Sequence, residues 1–457
     1  MVFHDSIHNH FLKYLFVTTA MQKLTPFTLI TLITLFALQS CTQENKNQLK
    51  FADTTKIDDV IDHYVDEDFY PFVYARIEDL DGNMIYEHSA VNKTLLPNTE
   101  VNGDTWVRIW SMSKIVTIST VLDLIEDGAL QLDDPVTNYI PEFKNLKVAV
   151  SDNGSSLLDS EWQNKENACP IKLVSNDSVM TVRHLINHQA GFYYATTGFS
   201  CIDSLIAKQN LPKAKNSDEL IKKMSELPLI QHSGTDYFYG TNTTVLGLVA
   251  ERATGKNLNE LVKERITDPM HIEGLRYRLP ENIDLLPRFT GRDSVLRVAR
   301  KGELDILGPD VPDYDVNHPL YLGGEGMVAT ADGYADFVRM LLKRGELNNY
   351  RFLDKETVED IYAPHTQKDS PYGYNGYNLW ISGESMETKK QGEAGLWIGG
   401  GYECTYFWAD PKRNFVGIIM SQNNAVRKPG YELNDSFRSA VYQQIWASEE
   451  ENKYTSN

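Results

Sequence analysis

Ser111-Met112-Ser113-Lys114 sets a hydroxyl and an amine three residues apart where a long helical pattern begins. Residues three apart share a helix face, so Lys114 reaches Ser111. A serine hydroxyl becomes a strong nucleophile when a base takes its proton. Lysine serves as that base only as a neutral amine, a form favoured by burial or by nearby positive charge. The partial positive charge of a helix N-terminus favours the anion that develops there. Taken alone, S-x-x-K arises often by chance, and an N-cap serine beside an exposed lysine is the simpler account.

Other reactive residue types point elsewhere. His184 and His188 stand four apart on a predicted helix, the spacing of a zinc pair. The metalloprotease pattern needs Glu directly after the first histidine, and Leu185 is there. No cysteine or carboxylate cluster supplies further ligands, so both histidines read as structural and no metal is expected. Asp133-Asp134 and the acidic pairs between 58 and 68 read as capping and solvated charge. Cys169, Cys201 and Cys404 form no C-x-x-C pair, which excludes a zinc ribbon or a thioredoxin-type motif. Cys169 and Cys201 could pair in an oxidising compartment. Buried free thiols are the favoured reading.

The elements that hold these residues follow from periodicity. Ile57, Val60, Ile61, Tyr64 and Val65 predict an amphipathic helix, and Phe72–Ile77 and Met84–Tyr86 predict two strands joined at Asp81-Gly82. From Ser111 to about Asp127 the pattern is helical, with Ile115, Ile118, Leu122 and Ile125 on one face and Gly128 at the stop. The polar stretch from Lys144 to Ser178 reads as a surface insertion. Helical patterns resume over 182–188, 218–224, 243–253, 258–266 and 331–344, and Gly255 is placed to cap the third. Strands return at 405–409 and 415–420, and a last helix carries Phe437, Val441 and Ile445. This order predicts an α+β fold: an antiparallel sheet built from both chain ends, flanked by helices, with a mostly helical inserted lobe. Residues 56–448 read as one functional unit.

With 457 residues, 42% of them hydrophobic, the chain has ample material for a large core. Its formal net charge of -19 makes nucleic acid an unsuitable partner. Near the N-terminus, Lys23 precedes an apolar run from Phe27 to Leu38 and then Leu38-Gln39-Ser40-Cys41. That order describes a secretory signal, and the run is shorter than the roughly 20 residues a bilayer span needs. Met21 reads as the natural start. The Leu-x-Ser-Cys ending resembles a bacterial lipoprotein box. The resemblance implies a signal over 21–41, a lipidated Cys41, a polar tether over 42–55, and a lipid anchor in the cell envelope. Thr42, in place of aspartate, points to the outer membrane.

The segments around Ser111 also carry a family resemblance. Arg108–Lys114 followed by Glu126-Asp127-Gly128-x-Leu130-x-Leu132-Asp133-Asp134-Pro135-Val136 resembles the nucleophile region of the serine β-lactamase and penicillin-binding-protein superfamily. The likeness is nearest to its class C β-lactamase-like, esterase-like branch. Thr181–Gly191 and Gly323–Thr330 resemble two later segments, and the matches run from about Phe72 to Val441. The resemblance implies a β-lactamase-like fold and acyl transfer with no metal or organic cofactor. It implies that Tyr239 relays the proton of Ser111. The chain has Thr241 where the β-lactamase form has asparagine, leaving Asn242, one residue on, as the candidate substrate amide ligand. The usual Lys-Thr-Gly is absent. Trp397-Ile398-Gly399-Gly400-Gly401 takes its place, with Trp397 as an apolar wall, Gly399 and Gly400 lining substrate, and the Gly400 N–H completing an oxyanion hole with that of Ser111. A second register lies two residues later. The expected partner is a small-molecule acyl substrate, first a carboxylic ester. A β-lactamase or D-amino-acid peptidase is one alternative, and a non-catalytic binding protein on the same scaffold is another.

Overall fold

The computed structural model describes residues 49–159, 171–304, 306–307, 319–424 and 429–455. The proposed signal, Cys41, the first half of the tether and Cys169 lie outside them.

Runs of apolar residues from the two chain ends build one eight-stranded sheet. β1 (Phe72–Asp79) and β2 (Met84–Val91) form a hairpin. β3 (Thr366–Asp369), β4 (Gly373–Asn375), β5 (Trp380–Ser382), β6 (Trp397–Gly400), β7 (Tyr406–Asp410) and β8 (Phe415–Met420) come from the far end of the sequence. The strands pair in the order β3-β4-β5-β6-β7-β8-β1-β2, antiparallel throughout. The chain ends meet where Tyr74 of β1 stands opposite Met420 of β8. β3, β4 and β5 escape the sequence reading because three or four residues are too few for a period to register.

Six helices frame the site: α1 (Thr55–Asp66), α2 (Ser113–Glu126), α3 (Val182–Ile186), α4 (Asn242–Thr254), α5 (Ala331–Leu342) and α6 (Pro429–Thr455). The central strands are apolar on both faces because each face has its own core. Val73, Ala75, Ile77 and Trp408 pack with Ile57 and Ile61 of α1 and Phe437 and Val441 of α6. Phe72, Tyr74, Phe407 and Ala409 pack into the larger core that holds α2, α4 and α5. α2 corrects the expectation of a single apolar face. It is buried all round from Ser113 to Leu122, with Ile125 only half-buried, because it runs through the middle of that core. Gly255 ends α4 in the left-handed region (φ 72°), as its placement predicts.

The stretch from Lys144 is not wholly a surface insertion. Lys147–Val150 and Lys172–Ser175 pair as a hairpin, and Val148 and Ala149 are buried. Cys201 is disulfide-bonded, its partner lying outside the described residues, which corrects the free-thiol reading. It stands half-buried in the first turn of the helix Ser200–Gln209, packed against the edge of the larger core. Cys404 is a free thiol, and burial pushes it up to about 11.

Candidate active site

The nucleophile turn is built before the helix begins. Trp110, Ser111 and Met112 form a single 3-10 turn that runs straight into α2. Trp110 sits in the left-handed region at φ 45°, a conformation that costs a residue with a Cβ about 1–2 kcal/mol. Packing holds it there. Its ring is 1% exposed, edge-on to Tyr402 at 5.4 Å, with the Arg288 guanidinium 5.2 Å from its centroid. The neighbouring backbone is clamped as well. The Tyr334 hydroxyl donates to the Met112 carbonyl (3.0 Å), the Ile109 N–H donates to the Met327 carbonyl (3.2 Å), and the Met327 N–H donates to Ser113 Oγ (3.1 Å). Ser111 itself stays half-buried.

Lys114 lies one turn on and is completely buried, which removes the exposed-lysine account. Its Nζ is 3.2 Å from Ser111 Oγ, 2.9 Å from the Tyr194 hydroxyl, 2.9 Å from the Gly324 carbonyl and 3.4 Å from Glu325 Oε1. Tyr194 and Thr244 each donate a hydroxyl hydrogen bond to the Glu325 carboxylate. Burial, with the Glu325 carboxylate next, pushes the Tyr194 phenol well above its ordinary range, so it remains a donor. The paired glycines have a steric reason. A Cβ on Gly323 would lie 2.6 Å from the Thr243 carbonyl oxygen, and one on Gly324 would crowd Lys114 Nζ at 3.3 Å.

The sequence reading passed over Tyr194, Thr244 and Glu325. Tyr194 follows the quoted Thr181–Gly191 segment by three residues. Glu325 stands inside the quoted glycine-rich segment, where a lone carboxylate among glycines and apolar residues was the available signal.

Tyr239 is placed near this cluster, but beside it. Its ring lies 4.9 Å from Lys114 Nζ and stacks on His188 at 4.8 Å, and the residue is 38% exposed. His188 is fully buried beneath it. Burial first, then the charge of Lys114, holds its imidazole down to about 3, with the Asn378 hydrogen bond opposing. Its Nδ1 faces two donors, the Gly240 N–H (3.4 Å) and Asn242 Nδ2 (3.3 Å). The proton is therefore assigned to Nε2, which donates to Asn378 Oδ1 at 3.1 Å. His184 has a separate task, closing a reciprocal cap with Thr181 at the start of α3. Among the described residues, no group of three or more His, Cys, Asp or Glu side chains is placed to hold a metal.

Asn242 is not where a substrate ligand must be. It is fully buried at the first position of α4; its Nδ2 is spent on His188 and on the Phe192 and Phe238 carbonyls, and its Oδ1 is buried with no hydrogen-bond partner among the described residues. Trp397 is not an open wall either. It is 6% exposed and stacks on Tyr362 at 4.8 Å, which makes it a packing residue.

Gly401, directly after β6, borders the turn that carries the nucleophile. A Cβ on Gly401 would stand 2.4 Å from the Ile109 carbonyl oxygen, two residues before Ser111. The Gly401 N–H donates to the Thr405 carbonyl (2.7 Å), and Gly399 stands opposite Phe407 of β7. Backbone groups alternate sides along a strand, so the Gly400 N–H points off the other edge. That edge is open there, because β5 stops pairing at Ile398. The register two residues later shares that parity, so the pairing alone favours neither.

Beside the lysine lies a cavity of about 330 Å³. Tyr194, Tyr237, Phe238 and Tyr239 wall it, with Thr196, Thr197 and Gln367, and none of these described lining residues carries a charge. A largely aromatic pocket takes up apolar groups, and one without a cationic side chain gives a carboxylate no charged partner.

Residues 79–437 match the family model described as Beta-lactamase. Lovastatin esterase of Penicillium rubens is 26% identical over 410 residues, covering 81% of this chain and 93% of the relative. Among solved structures, EstCE1, a hydrolase with promiscuous acyltransferase activity, aligns with a TM-score of 0.67 at 18% identity, over 85% of this chain and 98% of that one. Unliganded simvastatin synthase LovD of Aspergillus terreus gives 0.66 at 20% identity, over 86% and 98%. At these identities the structural likeness is one of fold.

Proposed function

Because the chain belongs to the beta-lactamase family and is a serine hydrolase, we propose that it cleaves uncharged carboxylic esters through an acyl-enzyme on Ser111. One observation carries the reading: the half-buried Ser111 hydroxyl lies 3.2 Å from a fully buried Lys114, beside an uncharged aromatic cavity. Ser111 Oγ attacks the acyl carbon and Lys114 accepts its proton. The N–H groups of Ser111 and Gly400 receive the oxyanion. Tyr239, on the cavity side of Lys114, guides the proton to the departing alkoxide. Water then releases the acyl group.

Three features support an ester over a β-lactam. The Lys-Thr-Gly lysine is absent, the cavity offers no charge to a carboxylate, and lovastatin esterase is among the relatives. A short-chain nitrophenyl ester is expected to show a higher kcat/KM than a chromogenic cephalosporin on the same preparation, with Ser111→Ala as blank. Losing a charged contact to the lactam carboxylate costs about 1.5–3 kcal/mol, or roughly tenfold to a hundredfold in kcat/KM. Efficient cephalosporin turnover with negligible ester hydrolysis would overturn the ester reading and leave the serine chemistry standing.

The same proposal places the enzyme on a bacterial envelope membrane through acyl chains on Cys41, probed by its removal. The support is Leu38-Gln39-Ser40-Cys41 and the polar tether behind it, since acyl chains anchor by burying methylenes. Cys41→Ala is expected to yield a product that washes free of membranes without detergent, followed by fractionation and blotting. A variant that stays in the membrane pellet removes the anchor from the account.

A further inference from the structure

The outermost strand of the sheet is irregular where it borders the cavity. On β3, Thr366 stands opposite Asn375 and Asp369 opposite Gly373, so Gln367 and Lys368 together face Tyr374 alone. Two residues against one make a β-bulge, which interrupts the alternation of side chains along a strand. Gln367 takes up the extra length in the left-handed region, at φ 46°. Glycine enters that region freely and asparagine tolerates it, whereas glutamine is held there at a cost. A bulge also blunts a sheet edge, and β3 is an edge strand. Glycine would meet that need without strain. Strain of this kind gathers at ligand-binding sites.

Gln367 is the residue of β3 that lines the cavity of about 330 Å³, and its charged neighbours Lys368 and Asp369 do not. The same end of the sheet is fastened to the cavity wall, because Asn378, in the turn between β4 and β5, holds the His188 ring on which Tyr239 stacks. Other polar groups of the wall are already committed. The Tyr194 hydroxyl donates to Glu325, and the Thr197 hydroxyl donates to Asp203 (2.7 Å). The Gln367 amide is exposed and engages no hydrogen-bond partner among the described residues. In a pocket walled by rings, one such polar group fixes how a ligand is oriented.

We propose that Gln367 determines specificity in this cavity, its amide hydrogen-bonding an uncharged polar group on the alcohol side of the ester, remote from the scissile bond. The alcohol side follows from the path of the proton. Tyr239 lies on the cavity side of Lys114 and guides the proton to the departing alkoxide, so the alkoxide departs towards the cavity. A glutamine amide both donates and accepts. A substrate amide does the same and is its full complement, and a hydroxyl is the simpler one. The inference rests on the ester reading and narrows it to esters of alcohols or phenols that carry such a group.

The test compares two phenyl acetates on the full chain, one with a para-acetamidomethyl group and one with a para-isopentyl group of similar size. The acyl group is the same in both, and the intervening methylene leaves the two phenols alike as leaving groups. The readout is the ratio of their kcat/KM values, polar over apolar. Gln367→Leu is expected to lower that ratio about three- to tenfold, the scale of one hydrogen bond between uncharged groups. Gln367→Gly, which also lacks the amide but suits the left-handed backbone, is expected to lower it equally. Gln367→Asn, which keeps an amide, is expected to retain part of it. A ratio unmoved in both the leucine and glycine variants overturns the inference, because a merely structural role slows both esters alike. With the same two groups moved to the acyl chain of a phenyl ester, the substitutions are expected to leave the ratio unmoved. A fall there, in place of the fall on the alcohol side, overturns the assignment of the cavity to the alcohol. Wild type that hydrolyses none of these esters is a failure of the ester reading, whereas hydrolysis with a ratio indifferent to position 367 is a failure of this inference alone.

Discussion

Ser111→Ala is expected to lower kcat/KM for a nitrophenyl ester by about 10⁴-fold or more, the scale on which losing a serine nucleophile acts. In free energy that is about 5 kcal/mol or more of transition-state stabilisation. The fold has little reason to suffer. Ser111 is half-buried, and the side-chain hydrogen bond shown for it is the one from Lys114. The turn that carries it is held instead through Trp110, Met112 and Ser113. Initial rates and a thermal melt of the purified variant separate the two effects. A variant with wild-type melting and near-wild-type turnover would remove the covalent mechanism.

Lys114→Arg is expected to cost about 10³-fold in kcat/KM, within the range attributed to a positioned general base. Arginine stays charged at any working pH and cannot become the amine that accepts the Ser111 proton. It is also larger, and Lys114 is fully buried. Overpacking of that kind costs about 1–3 kcal/mol in stability, so the melt should fall modestly while activity falls steeply. Wild-type fluorophosphonate labelling in Lys114→Arg would show that proton removal lies elsewhere.

What the sequence makes legible is local. Ser111 and Lys114 are three residues apart, and one helical turn suffices to join them. The two terminal strand regions announce themselves as short β-branched and aromatic runs bounded by turn residues, and Gly255 by its place after an apolar helix. Contacts across the chain are not legible in the same way. Lys114 meets Tyr194 80 residues on and Glu325 211 residues on, and only the packing of α2 against the later segments brings them together. Asn242 illustrates another limit. At the head of α4 each residue turns the side chain by about 100°, so Asn242 and Thr244, two residues and about 200° apart, face His188 and Glu325 respectively. The Trp397 segment forms a strand of the main sheet. Which of its groups turn inward depends on the register with β7 and on Tyr362, neither of which a linear motif contains.

The central claim is a nucleophile at position 111. Its most direct test is to treat the wild-type protein with a fluorophosphonate at neutral pH, digest it, and map the adduct by tandem mass spectrometry. The account predicts a single modified peptide with the added mass on Ser111, and no labelling in Ser111→Ala. An adduct on another residue, or labelling that persists in Ser111→Ala, contradicts it.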